Sequence, residues 1–241
     1  MSARDDIIGG IRRALGRGPL PAEEQAALTT RVAGHRRNLV PARAARLDAT
    51  ARVELFVAMA EEVQTTVARV AAGDDVPAEV ARYLAAENLP AELVMAPDAG
   101  LDALPWQARP LLQIRRGRAE TGDQVSLTPC LAAIAETGTL LLVSDAATPT
   151  TLNFLPDTHI VVLHAGQVVA SYEDGWDLVR AHSTAKGAAW PRTVNLITGP
   201  SRTGDIEQRI QLGAHGPRRL HVILVGTPES THEAGDAPAA G

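Results

Sequence analysis

The stretch LITGPSRTGDIEQRIQLGAHGPRRLHVILV, residues 196–225, begins and ends in runs of Leu, Val and Ile and carries Ser201, Arg202, Thr203, Asp205, Glu207, His215 and Arg218 between them. The ends read as strands over 194–198 and 220–225, and the interior, roughly 203–212, as the helix that connects them. A strand, a helix and a second strand in that order make a parallel pair, since a parallel connection needs a long crossover. Working outward, further apolar runs occur at 91–96, 111–114, 139–144 and 159–163. None alternates strictly with polar residues, which is the pattern of strands covered on both faces. Helical patterns at 76–87, 129–135 and 176–182 separate them. The expected fold class is α/β, a mostly parallel sheet flanked by helices, with ligands lying beyond the carboxyl ends of the strands.

The first 72 residues read as a helical N-terminal region. Ile7, Ile8, Ile11 and Leu15 share one helical stripe closed by Gly16, Gly18 and Pro19. From 42 to 72, Leu55, Met59, Val63, Val67 and Val70 recur at steps of three and four, which predicts one long amphipathic helix ending at Gly73. The α/β domain then spans 73–226. Residues 227–241 lack any apolar period and are expected to be a disordered tail.

Composition narrows the function classes. At 45% hydrophobic and 21% charged residues the chain has the make-up of a globular protein. No apolar run approaches the roughly 20 residues of a membrane span, and the start carries Asp5, Asp6 and Arg12 where a signal peptide would be apolar, so a cytoplasmic location is expected. Cys130 is the single cysteine. The chain therefore encodes neither an internal disulfide nor a ligand set for an iron–sulfur cluster, and its seven histidines show no metal-ligand spacing. Residues 1–52 hold ten arginines against five acids, leaving 13 basic and 23 acidic residues in the rest. That asymmetry could serve nucleic acid, but no aromatic interleaves with the early arginines to stack on bases, and 22 arginines beside one lysine, Lys186, is a bias that coding composition also produces. Nucleic acid is not an expected partner.

Two segments carry candidate chemistry. After the strand at 194–198, Gly199 and Pro200 shape a turn into the expected helix, and Ser201 or Thr203 can cap it. A cap explains one hydroxyl, and the capping box fails because positions 204 and 206 are Gly and Ile. Free N–H groups at a helix start favour an anion, and Arg202 could clasp a carboxylate or phosphate in fork geometry. Against this, Asp205 and Glu207 could themselves neutralise that helix end. In the second segment, 128–145, Glu136 falls in the last turn of the expected helix, where a negative charge is unfavourable, so it is either a functional residue or half of an ion pair. Cys130 reads as a small buried apolar group. Sheet geometry places Ser144, Asp145, Ser201, Arg202, Thr203 and Asp205 on one edge and Glu136, Thr137, Thr139, His215 and Arg218 on the other, roughly 15 Å away across a ten-residue helix. Either a partner subunit, in a homo-oligomer for example, unites the two sets, or the turn around His215 is structural.

The segments AETGTLLLVSD (135–145), LPDTHIVVL (155–163) and GPSRTGDIEQRIQLGAHGPRRLHVILV (199–225) closely resemble the LUD-domain family, in particular its lactate utilization protein C branch. The resemblance runs from about 128 to 225 and is faint before it. It implies a fold like that of the sugar-phosphate isomerase and CoA-transferase group, and a role in oxidising L-lactate to pyruvate as an accessory component beside two iron–sulfur proteins. This chain would need no cofactor of its own, the clusters belonging to those partners. Gly138, Thr139, Ser144, Gly199, Ser201, Arg202, Thr203, Asp205, Glu207, His215 and Arg218 are the candidate ligand-binding residues, with Glu136 as the candidate catalytic one. Three readings stay open: an anion-binding subunit, an enzyme related to the acyl and phosphosugar enzymes using Glu136, or a non-catalytic assembly or regulatory protein.

Overall fold

The computed structural model describes residues 2–16, 18–37, 41–185, 187, 190–206, 209–213 and 215–228, and within 203–212 the backbone alone. Glu207 and most of the expected tail, from 229 on, lie outside the described residues. The chain forms two compact units, residues 1–39 and 40–241. In the first, α1 (Ala3–Ala14) starts on a capping box: Asp5 N donates to Ser2 Oγ at 3.3 Å and Ser2 N donates to Asp5 Oδ2 at 3.2 Å. It is followed by α2 (Ala22–Ala33), and neither helix contains a buried residue, so the Ile7, Ile11, Leu15 stripe faces outward.

The second unit opens with α3 (Ala42–Ala45), α4 (Ala49–Glu62) and β1 (Thr66–Val70). The single helix expected over 42–72 is therefore corrected to two helices and a strand. Asp48 restarts the helix, its Oδ1 accepting from Ala51 N at 2.8 Å, and the β-branched run Thr65, Thr66, Val67 ends helical preference after Glu62. Then come α5 (Val76–Ala86), β2 (Glu92–Met95), α6 (Ala99–Asp102), β3 (Gln113–Arg116), β4 (Val125–Pro129), β5 (Ala132–Ile134) and β6 (Thr139–Val143). The remainder is α7 (Thr151–Phe154), β7 (Thr158–His164), β8 (Val168–Val169), α8 (Tyr172–Ala185), β9 (Val194–Ile197), β10 (Arg202–Ile206), β11 (Arg209–Leu212) and β12 (Arg219–Val225).

Six strands form a parallel sheet in the order β1-β12-β7-β4-β2-β3, flanked by helices, so the α/β class holds. Unanticipated is a second sheet, β8-β5-β6-β9, in which β6 runs antiparallel to both β5 and β9. It explains the continuous apolar strands by period two. Ile160 and Val162 of β7 and Ile223 of β12 pack with Val80 and Leu84 of α5, while Val161, Leu163, Val222 and Leu224 pack with Phe56 of α4 and Leu140 and Leu142 of β6. On β6 the alternate residues Leu141 and Val143 then meet Val179 of α8.

Two expected helices are strands. Residues 129–135 end β4 and form β5, because Ala132, Ala133 and Ile134 pair with Leu141, Leu140 and Thr139 and are fully buried between layers. Tertiary pairing outweighs the helical preference of alanine. Residues 203–206 and 209–212 belong to the antiparallel pair β10–β11, with Arg202 opposite Leu212 and Thr203 opposite Gln211. Gly204 and the β-branched Ile206 and Ile210 disfavour a helix there, glycine alone by about 1 kcal/mol. The strand expected at 111–114 starts two residues later, and Leu111 is 84% exposed.

Candidate ligand-binding site

The strands β7 and β12 start level, with Thr158 opposite Arg219. Above that amino edge α4 ends at Val63, and the chain leaving β9 crosses over as Thr198, Gly199, Pro200 and Ser201. Ser201 N donates to Pro217 O at 2.8 Å, Gly213 N donates to Ser201 O at 2.9 Å, and His215 N donates to Ser201 Oγ at 3.3 Å. The result is a hollow of about 430 Å³, walled by Val63, Asn153, Phe154 and His159, by residues 196–202, and by His215, Gly216, Pro217 and Leu220. It lies at the amino edge of the parallel sheet, which corrects the expectation of a site beyond the carboxyl ends. The second sheet causes this, since β9 runs the other way and delivers its own carboxyl end to that edge.

Two glycines make the approach possible. Gly199 has φ +73°, and a Cβ there would sit 2.5 Å from Val63 O; Gly138 has φ +65°, and its Cβ would sit 2.4 Å from Ala60 N. Both conformations are ones that side chains disfavour. The last turn of α4 is thus gripped by two turns of the second sheet. Arg202 Nη2 donates to Val63 O, closing the same corner. Among the described residues no carboxylate pairs with Arg202, whose guanidinium has further N–H donors to offer.

Ser201 and Arg202, expected on one edge of the sheet, and His215, expected on the other across a helix, are neighbours here, together with Gly199. With no helix after Ser201, the amides of Ser201, Gly213 and His215 are spent within the turn, and the expected anion site on a helix dipole is absent. Arg218 adjoins the hollow, but its Nε lies 3.9 Å from Asp157 Oδ1 in an exposed ion pair. Thr203 and Asp205 lie on β10. Thr139 touches the site's edge through Thr198, their hydroxyls 2.7 Å apart, and Tyr172 and Thr137 complete that hydroxyl cluster. Ser144 does not join it: its N–H donates to Thr193 O at 3.0 Å at the far end of the β6–β9 pair.

Glu136 sits between β5 and β6, not in a helix, and is 4% exposed. Its Oε1 accepts from Tyr172 N at 3.3 Å, at the start of α8, while Oε2 is buried with no partner among the described residues. A carboxylate at a helix start is favourable, so the unfavourable position inferred from sequence becomes a supporting one. Cys130 is buried, and desolvation pushes its thiol up to about 12, which removes it as a nucleophile at neutral pH.

Three features of the site escaped the sequence reading: Asn153, Phe154 and above all His159. His159 is fully buried, its Nε2 2.8 Å from Thr128 Oγ1 and its Nδ1 without a partner among the described residues. Burial pushes its pKa down to about 3, so the ring is neutral. The signal was a lone polar residue opening the apolar run HIVVL. A second buried histidine, His221, lies on the other face of the sheet, stacked on Tyr83 with centroids 3.9 Å apart, its Nδ1 2.8 Å from Thr66 Oγ1 and its Nε2 3.4 Å from Glu79 Oε1. Burial pushes it down to about 4 despite the Glu79 carboxylate.

A parallel six-strand sheet backed by a small mixed sheet, with a hollow where the carboxyl end of one meets the amino edge of the other, defines a double-sheet α/β domain. Residues 53–225 match the LUD domain family model, and the chain belongs to that family. It is 42% identical over 101 residues to lactate utilization protein C of Deinococcus radiodurans, covering 42% of this chain and 45% of that one. It is 34% identical over 101 residues to lactate utilization protein C of Bacillus subtilis, covering 42% of each. In these matches the chain spans less than half the length of the curated relatives. Among solved structures, a DUF162 family protein from Deinococcus radiodurans is similar with a TM-score of 0.56 and 28% identity, over 75% of this chain and all of that one. No helix among the described residues is long and apolar enough to cross a membrane.

Proposed function

We propose that this chain is a component of a lactate utilization system that supports oxidation of L-lactate to pyruvate, and that it binds a small organic anion in the hollow at the amino edge. The observation carrying the reading is the convergence of Ser201, Arg202 and His215 on one concave space of about 430 Å³, with Arg202 meeting no carboxylate among the described residues. A cation and a hydroxyl set among Phe154, Leu196 and Leu220 suit a carboxylate with an apolar body. The volume exceeds what a three-carbon acid fills, so lactate would share it with water or give way to a larger acid. The names of the relatives supply the lactate context, and the family resemblance implies two iron–sulfur proteins as partners, which would carry the electrons leaving lactate.

Isothermal titration of the full chain with L-lactate and with pyruvate tests it. Binding that weakens tenfold or more in Arg202→Ala is expected, and binding that survives this change intact removes the turn from the site. A second reading, an enzyme using Glu136 as base or nucleophile, is favoured by the buried, unpartnered Oε2. Full lactate oxidation by the assembled system carrying Glu136→Gln ends that reading, because the amide serves neither role.

A further inference from the structure

His159, one of the residues lining the hollow, carries a buried ring nitrogen that no group among the described residues satisfies. Strand alternation turns His159 to the same face as Val161 and Leu163, toward the second sheet, one residue inside the amino edge. The ring walls the hollow, Nε2 is committed to Thr128 Oγ1 at 2.8 Å, and Nδ1 is the nitrogen left over. Buried ring nitrogens are rarely left unpaired in folded proteins. Asn153, 3% exposed, lines the same hollow and brings a carboxamide to it.

A neutral imidazole has one donor and one acceptor nitrogen, and a threonine hydroxyl can play either part. The Thr128–His159 pair therefore has two arrangements. With the Thr128 O–H donating to Nε2, Nδ1 carries the proton and donates. With Nε2–H donating to Thr128 Oγ1, Nδ1 accepts. Because burial keeps the ring neutral across the physiological range, exchange between the two arrangements needs no change of charge.

We propose that His159 Nδ1 contacts the ligand, and that the Thr128–His159 pair lets the hollow hold both members of an alcohol and ketone couple, a 2-hydroxy acid and the corresponding 2-oxo acid, with the carboxylate toward Arg202. The inference rests on the anion-binding reading above and adds the second recognition point. His159 donates to a ketone oxygen and accepts from an alcohol O–H, so one site serves both forms without a rearranged backbone. It is a binding and specificity role, with no bond made or broken.

The test uses the full chain and three probes of one size: L-lactate, pyruvate, and propionate, which lacks the 2-oxygen. Lactate and pyruvate are expected to bind at least tenfold tighter than propionate, and His159→Phe to remove that preference. Imidazole 15N spectra, assigned by difference against His159→Phe or, should that variant not fold, Thr128→Val, report the tautomer directly. His159 is expected to stay neutral between pH 5 and 8 and to shift toward Nδ1–H with pyruvate and toward Nε2–H with lactate. Equal affinity for propionate, or perturbed Ser201 and His215 amides with an unmoved His159, overturns this proposal and leaves the anion site standing. If no probe perturbs the Ser201 and His215 amides, both readings fall.

Discussion

Lowering the pH from 7.5 to 5.0 should destabilise this protein by about 4 kcal/mol through two side chains. His159 and His221 are both buried, with pKa values pushed down to about 3 and about 4 from an ordinary 6.5. In the unfolded chain both take a proton as pH falls through 6.5, whereas the folded protein keeps them neutral. The unfolded state therefore binds more protons, and stability rises with pH and falls as pH drops. At pH 5.0 the unfolded-state term is RT ln(1 + 10^1.5), about 2 kcal/mol for each histidine, and the folded-state correction is a tenth of that or less. At pH 7.5 both contributions are close to zero.

The window isolates the effect, because it lies above the 4.5 at which an ordinary glutamate titrates, and Glu54 and Glu79 are held lower still. For Glu79, burial is the largest influence and pushes upward, but the hydrogen bonds from Arg82 at 2.5 and 2.7 Å, the charge of Arg82 and smaller contributions from His221 together outweigh it. Urea unfolding followed by tryptophan fluorescence at pH 7.5, 6.5 and 5.0 measures the slope. Against a typical stability of about 5–15 kcal/mol, a loss of about 4 is easily resolved. His159→Phe and His221→Phe should each remove about half of the pH dependence, whatever they do to stability itself. A stability that changes by less than about 1 kcal/mol over this range refutes the reasoning: the histidines would then be protonated inside the fold, and the neutral ring on which ligand recognition by His159 depends would be wrong.

Three further outcomes follow from the packing. Gly138→Ala should cost about 3 kcal/mol, seen as a lower urea midpoint, since it combines a left-handed backbone with a Cβ 2.4 Å from Ala60 N; a loss below about 1 kcal/mol would mean that α4 is not held where the structure puts it. Glu136→Ala should lose about 1 kcal/mol by stranding Tyr172 N at the start of α8, whereas Glu136→Gln, which keeps an acceptor for that N–H, should lose clearly less; equal losses for the two changes would contradict the contact. Cys130, buried and with its thiol pushed up to about 12, should resist iodoacetamide at pH 8 in the folded protein and react in urea, and rapid alkylation of the folded chain would show the site to be open.

How far the sequence could be read depended on what each segment packs against. Strands β6, β7 and β12 were legible to within a residue or two, because a strand buried on both faces is apolar over most of its length, as VVL and LLLV are; β9 was legible too, although it is only partly buried and its Leu196 is exposed. The alanines of β5 carry no such mark. They are good helix formers that become strand residues only because Leu140 and Leu141 lie opposite them, and no local signal predicts that. The β10–β11 hairpin was hidden for a related reason: Ile206 and Ile210 stand four apart, a helical spacing, and the local objections were only Gly204 and the β-branching of those two isoleucines. The Gly199–Arg202 turn was recognisable from its residue types. Its partners Val63, His159 and His215 come from three distant segments, so they could be found only once the second sheet was known.

Replacing that helix with a hairpin changes the kind of recognition the site can perform. A helix start would have offered free amides and a dipole, and charge would have been read by the backbone. Here Ser201 N, Gly213 N and His215 N already have acceptors at 2.8, 2.9 and 3.3 Å, so the turn has little left to give an anion. Positive charge must come from the Arg202 side chain, which one hydrogen bond to Val63 O anchors without neutralising. Polar discrimination must then come from His159, which lines the hollow, is neutral and has an Nδ1 unsatisfied among the described residues. In the proposed site, charge at the rim and a neutral hydrogen-bond partner below it divide the work between Arg202 of β10 and His159 of β7, and the close approach of Gly138 and Gly199 to the end of α4 fixes the turn that carries Arg202 over the hollow.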